Sequence, residues 1–161
     1  MRRTRGFTLI ELTVVLALMT VFFALVVVRF DWNSPRQALN REARKLGNLL
    51  TTYREKALAD ETLWAVQMDL DTGKCRVVQP AEKSAQAVEQ AVAVRTITLD
   101  PAVKLSRVLT PAGPLSSSFV MFFDAKGIAP DVTLEFEHAH SEAKVTLRVD
   151  PFATEIVYGQ N

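Results

Sequence analysis

Three groups of side chains in this sequence could do chemistry. In "EFEHAHSEAK", His138 and His140 stand two residues apart with Glu137 and Glu142 beside them. Histidines at i and i+2 of a strand share a face, and with a third ligand such a pair could hold a metal ion. A polar hairpin turn between two strands would use the same residues for solvation alone, and that second reading is preferred. Cys75 is the only cysteine, so no intramolecular disulfide can form; in "GKCRVV", at the start of a strand, it reads as a packing residue. The third group is a single residue, Glu11, the one charge in an apolar run from Phe7 to Val28. No nucleophile–base arrangement, glycine-rich phosphate loop or four-ligand metal spacing accompanies these groups. The sequence therefore points away from an enzyme, with no catalytic residue, cofactor or metal ligand expected.

Glu11 needs a setting. As a helix, residues 7–28 would extend roughly 33 Å, enough to cross the hydrocarbon core of a bilayer. The run is apolar on every side, as a span is, and lacks the stripe of a surface helix. Arg2, Arg3 and Arg5 precede it and none of the first six residues is acidic, which predicts a cytoplasmic N-terminus and an external remainder. A secretory signal would be shorter and followed by small residues at its exit. Here the run continues through Phe22, Phe23 and Val26–Val28 into Arg29, and the small residue, Gly6, comes before it. A carboxylate inside a span is unfavourable by roughly 2.5–3.5 kcal/mol, so such groups usually have a partner. The bland alternative is snorkelling, since Glu11 lies only about 6 Å along the axis from Phe7.

Basic head, Gly6–Phe7, Glu11 and an unbroken apolar run coincide in "RGFTLIELTVV". This stretch closely resembles the class III signal of type IV prepilins and type II secretion pseudopilins. The resemblance implies cleavage by a membrane prepilin peptidase between Gly6 and Phe7, N-methylation of Phe7, and a register role for Glu11. Its carboxylate would pair with the new amine of Phe7 on a neighbouring subunit. Thr13 stands where the family usually has a large apolar residue, though its hydroxyl can bond back to the helix. Val28 stands where many pilins have proline.

The remainder predicts an α+β fold: a long N-terminal helix packed on an antiparallel β-sheet or small β-sandwich. Ser34–Pro35 is a helix start. Leu39, Ala43, Leu46, Leu50, Tyr53 and Ala57 recur at helical spacing, with Arg41, Arg44, Lys45, Asn48 and Glu55 elsewhere around the helix. The resemblance suggests one nearly continuous helix from Phe7 to about Ala59, whereas Pro35 predicts a kink near residues 31–34. Alternation in "LWAVQMDL", "DVTLEFEH" and "AKVTLRV" predicts strands, joined by "KCRVV", "VRTITL", "VKLSRVL", "SFVMFF" and "EIVY". Residues 81–93 read as a loop or short helix, and "LTPAGPLSSS" as a loop. The expected organisation is a leader at 1–6, a membrane and filament-core helix at 7–28, an amphipathic periplasmic helix at 29–60 and a β-rich domain at 61–161.

Within the family, "LNREARKLGNLLTTYREKALADET" and the turn in "FFDAKGIAPDVTLEF" look most like the H-type minor pseudopilins and their type IV pilus relatives. The implied function is a minor pseudopilin of a type II secretion system. It would sit in the bacterial inner membrane with its globular domain periplasmic. Its implied partners are prepilin peptidase, other major and minor pseudopilins, the assembly platform and secreted cargo. A type IV pilus minor pilin is the alternative, including one that binds DNA during uptake. That role would need Arg36, Arg41, Arg44, Lys45, Arg54 and Lys56 exposed, and it runs against charge: residues 60–161 carry nine bases and fourteen acids.

Overall fold

The computed structural model describes residues 9–29, 34–115, 117–151 and 157–160. The chain divides into two compact units, Met1–Ser34 and Pro35–Asn161. In the first, helix α1 runs Leu9–Arg29, with Glu11 as the acid of its first turn. Leu12, Val15, Leu16, Met19, Phe22 and Phe23 are all exposed, so this helix presents apolar surface all round and calls for apolar surroundings. The Thr13 hydroxyl donates to the Ile10 carbonyl at 2.9 Å and Thr20 to Ala17 at 2.8 Å. Both polar groups are thus satisfied within the helix, as expected for Thr13. Among the described residues no helix is long and apolar enough to cross a membrane, and the described side chains of α1 end at Phe23. Its 21-residue backbone is helical over about 31 Å.

The second unit begins with α2, Pro35–Ala59. Pro35 is its first residue and Ser34 stands outside it, because proline's missing N–H costs nothing at a helix start. Residues 30–33, through which the expected single helix would have to continue, lie outside the described residues. The predicted kink at 31–34 falls mostly on residues outside those described. All six positions of the predicted stripe are buried, and Glu42, Gly47 and Leu49 widen it. At the other end the Thr62 N–H closes back onto the Ala57 carbonyl at 3.2 Å. This six-to-one bond holds Glu61 in the left-handed region at φ 49°. A side chain there costs about 1–2 kcal/mol, partly offset by glycine's greater freedom in the unfolded chain. Glu61→Gly is accordingly expected to stabilise residues 35–161 by roughly 0.5–1 kcal/mol, a rise of about 2–4 °C in Tm. Circular dichroism melts would read it, and an unchanged or lower Tm would count against the strain.

Two antiparallel sheets follow. β1 (Trp64–Asp69), β2 (Lys74–Val78), β3 (Ala93–Thr98) and β6 (Ser118–Phe123) lie in the order β3-β2-β1-β6. The second contains β4 (Val103–Thr110), β5 (Gly113–Leu115), β7 (Val132–His138), β8 (Lys144–Val149) and β9 (Val157–Gln160), in the order β5-β4-β7-β8-β9. One core joins them: Leu39, Leu46 and Leu50 of α2 meet Met68 and Phe123 of the first sheet and Phe136 of the second. Alternation explains which side chains enter it. Val132, Leu134 and Phe136 point inward while Thr133, Glu135 and Glu137 point out.

In β4 the buried residues are Val103, Leu105 and Val108, which breaks the alternation. A bulge between Leu105 and Arg107 absorbs the extra residue and keeps both halves facing the core. Residues 81–93 resolve as a short helix, α3 (Ala85–Gln90), whose first turn is capped by the Ser84 hydroxyl. Val88 then covers Ala65 and Val78 on the outer face of the first sheet. "LTPAGPLSSS" is not all loop, since Gly113–Leu115 pairs with β4. A proline is tolerated there because β5 is an edge strand.

Candidate functional site

Of the predicted site residues, Glu11 lies in the first turn of α1, while Gly6 and Phe7 lie outside the described residues. Of the three, the structure thus describes Glu11 alone. What it does bring together are two polar clasps on α2 that the sequence did not announce.

The first centres on Glu42, whose side chain is 5% exposed. Its carboxylate receives Lys45 Nζ at 3.0 Å, the Arg41 guanidinium at 3.4 Å and the Asp100 N–H at 3.3 Å. Arg41 reaches on to Asp100 at 2.9 Å, and Lys45 donates to the Thr98 carbonyl at 2.8 Å. A buried carboxylate is tolerated only when paired and hydrogen-bonded, and here those partners tie α2 to the end of β3 and the loop after it.

Arg54 is the second clasp. Its guanidinium donates to the carbonyls of Gly127 at 2.7 Å, Asp150 at 3.1 Å and Pro151 at 2.6 Å. The planar fork of arginine suits such convergent acceptors, where a lysine would satisfy one. Gly127 belongs to the turn predicted from Phe123 to Gly127. There the Asp124 carboxylate accepts the N–H groups of Lys126 and Ile128 at 3.0 and 2.9 Å. Slight burial pushes the Asp124 carboxyl up, but those donors and the Lys83 ammonium outweigh it and hold it below the usual range. Gly127 itself has φ +69°, and a Cβ there would come within 3.1 Å of Leu58, so helix and turn approach closely because the residue is glycine.

Of the six cations that DNA binding would need exposed, Arg36, Arg41, Arg44, Lys45 and Lys56 are exposed and Arg54 is half-buried among carbonyls. Arg41 and Lys45 are paired with acids, and Lys56 lies 5.4 Å from the Tyr53 ring centroid. His138 ends β7 and His140 stands in the following turn, so the two do not share a strand face. The His140 N–H donates to His138 Nδ1 at 3.2 Å, and their rings meet edge-on with centroids 6.1 Å apart. No group of three metal-ligating side chains occurs among the described residues. Cys75 is buried, and burial pushes its thiol up to about 12, which makes it an inert packing group.

Residues 1–27 match the family described as the prokaryotic N-terminal methylation motif. Over 71 residues the chain is 34% identical to type II secretion system protein H of Pseudomonas aeruginosa. That match covers 44% of this chain and 41% of the relative, so it spans well under half the relative's length. The fold is similar to that of the minor pseudopilin EpsH of Vibrio cholerae, at TM-score 0.57 and 15% identity, covering 76% of this chain and 96% of that one. It is also similar to the type IV minor pilin FimU of Pseudomonas aeruginosa, at TM-score 0.54 and 14% identity, covering 77% and 90%. The chain thus carries the N-terminal methylation motif at its start and a fold like those of EpsH and FimU. Its likeness to type II secretion system protein H agrees with the resemblance read from the sequence.

Proposed function

We propose that the chain is a minor pseudopilin, a structural subunit of the periplasmic pseudopilus of a type II secretion system. The observation that carries this is an apolar helix with one acid in its first turn, joined to an α+β unit of the EpsH type. In this reading prepilin peptidase cuts between Gly6 and Phe7 and leaves the apolar helix attached, so the product is an anchored subunit. Phe7 is N-methylated, α1 passes from the inner membrane into a filament core, and Glu11 sets the axial stagger by pairing with the Phe7 amine of a neighbour. The unit 35–161 lies in the periplasm and contacts other pseudopilins and cargo. The chain acts by assembly, as the substrate of an enzyme and not as one.

The mass of the mature N-terminus tests this. A chain beginning at methylated Phe7 is expected, and one beginning at Met1 or beyond Arg29 would reject the pathway. The shared fold with FimU supports a second reading, a minor pilin of a type IV pilus. Co-purification with secretion or pilus components would separate the two.

A further inference from the structure

β3 is the open edge of the first sheet, and its geometry invites another strand. The Leu99 N–H bonds to the Gly73 carbonyl at 3.0 Å, which continues the β2–β3 register as a hydrogen-bonded pair. In an antiparallel ladder such pairs alternate with pairs whose backbone groups point away. Thr96 and Thr98, opposite Arg76 and Lys74, therefore direct their N–H and C=O groups to the free edge. Lys45 corroborates this from α2 by taking the Thr98 carbonyl. Thr96 stays open, one step along.

This edge is only partly blunted, by the bulge between its Ala93 and Arg95 and by Lys45 on the Thr98 carbonyl. It has six residues, no proline and one charge, Arg95. Val92 and Val94 beside it are 85% and 55% exposed. Alongside runs a groove of about 250 Å³ between α2 and β3, lined by Lys45, Asn48, Leu49, Thr52, Arg95 and Ile97. Its floor is apolar at Leu49 and Ile97, and its rim is basic. Arg95 is exposed and makes no ion pair among the described residues. The lining holds two cations, Lys45 and Arg95, and no acid, with Glu42 engaging Lys45. This is a cationic island in a unit whose residues 60–161 are net acidic.

We propose that this groove is a strand-addition site: it binds an extended, acidic, β-forming segment of another protein as a fifth strand on β3. Backbone pairing to Thr96 supplies affinity. Arg95 and Ile97 share one face of β3, so guest side chains two residues apart on the facing side meet Arg95 and then Ile97 with Leu49, which supplies selectivity. The inference goes beyond the assembly role of α1 and stands whether or not that role holds.

The test uses full-length protein in a neutral detergent and a short fluorescent peptide of the repeat Glu-Thr-Val-Thr, which places glutamate and valine in turn on one face. Controls carry lysine in place of glutamate, or N-methylated amides on alternate residues. Fluorescence anisotropy at low salt is expected to detect binding of the acidic peptide and binding an order of magnitude weaker for both controls. Amide exchange at Thr96 is expected to slow on binding. Arg95→Glu should abolish the preference for the acidic peptide, and Thr96→Pro should weaken binding of the acidic peptide. The N-methylated probe keeps the backbone claim falsifiable should the proline variant misfold. Equal binding of the lysine peptide, full binding of the N-methylated one, or no binding of the acidic one overturns the proposal. Self-association through this edge, lost in Thr96→Pro, would make a second copy the occupant and equally overturn it.

Discussion

Replacing Arg54 with methionine is expected to destabilise the unit 35–161 by about 2–4 kcal/mol. Methionine keeps the unbranched apolar stem, so the change isolates the guanidinium from the packing of its methylenes. What is lost includes three charge-assisted bonds at 2.7, 3.1 and 2.6 Å. Each would be worth roughly 1.5–3 kcal/mol if its acceptor were left dry, and less where water can replace the donor. Arg54 is only half-buried, so water replaces part of each bond and the loss falls below the simple sum, to about 2–4 kcal/mol. Against a whole-domain stability of about 5–15 kcal/mol this is a large share, and a fall of roughly 8–15 °C in Tm follows for a unit of this size. Arg54→Lys should recover about a third of the loss, because an ammonium on a shorter reach satisfies one carbonyl. Chemical denaturation of residues 35–161 is the measurement. The buried core from Leu39 to Val149 lies wholly within that unit. A methionine variant within 0.5 kcal/mol of the parent, or a lysine variant equal to it, would remove Arg54 as the tie between α2 and the two loops.

The contrast between α2's stripe and its clasps marks what a sequence can carry. Leu39, Ala43, Leu46, Leu50, Tyr53 and Ala57 were legible because helical periodicity is local, and the strands β1, β7 and β8 because alternation is. Glu42 was not, since its burial depends on Asp100, 58 residues on. Arg54 reads as one more surface base until the carbonyls 73–97 residues away are placed around it. β5 was hidden for another reason. Gly113 and Pro114 argue for loop wherever they occur, and only the knowledge that they lie at a sheet edge reverses that. The openness of β3 likewise follows from sheet order, which no window of sequence contains. The terminal motif around Glu11 sits at the other extreme. In the proposed reading a peptidase recognises contiguous residues, so Gly6, Phe7 and Glu11 can be named together although the first two lie outside the described residues.

Under the proposed reading, Glu11→Leu should leave leader cleavage and the fold of residues 35–161 unchanged while removing the chain from assembled filaments. Cleavage is unaffected because the scissile bond lies four residues upstream and the basic head is intact. The globular unit is unaffected because α1 lies in a separate compact unit. Insertion should if anything improve, as a carboxylate within a span is unfavourable by roughly 2.5–3.5 kcal/mol. Assembly is different. In a filament core of helices as apolar as α1, van der Waals contact alone does not distinguish one axial stagger from another. A carboxylate facing a methylated, still cationic amine distinguishes them, since any slip leaves both charges buried and unpaired. Breaking such a buried pair costs about 3–5 kcal/mol, roughly two to three and a half orders of magnitude in an association constant. Glu11→Gln separates charge from shape: it keeps the size and some hydrogen bonding, so it should retain partial incorporation, while leucine retains none. Cross-linking of subunits in sheared filaments, with the mature N-terminal mass checked for each variant, reads both steps independently. Normal incorporation of the leucine variant would show that the register is set elsewhere, and failure of cleavage in it would move Glu11 from the assembly step to peptidase recognition.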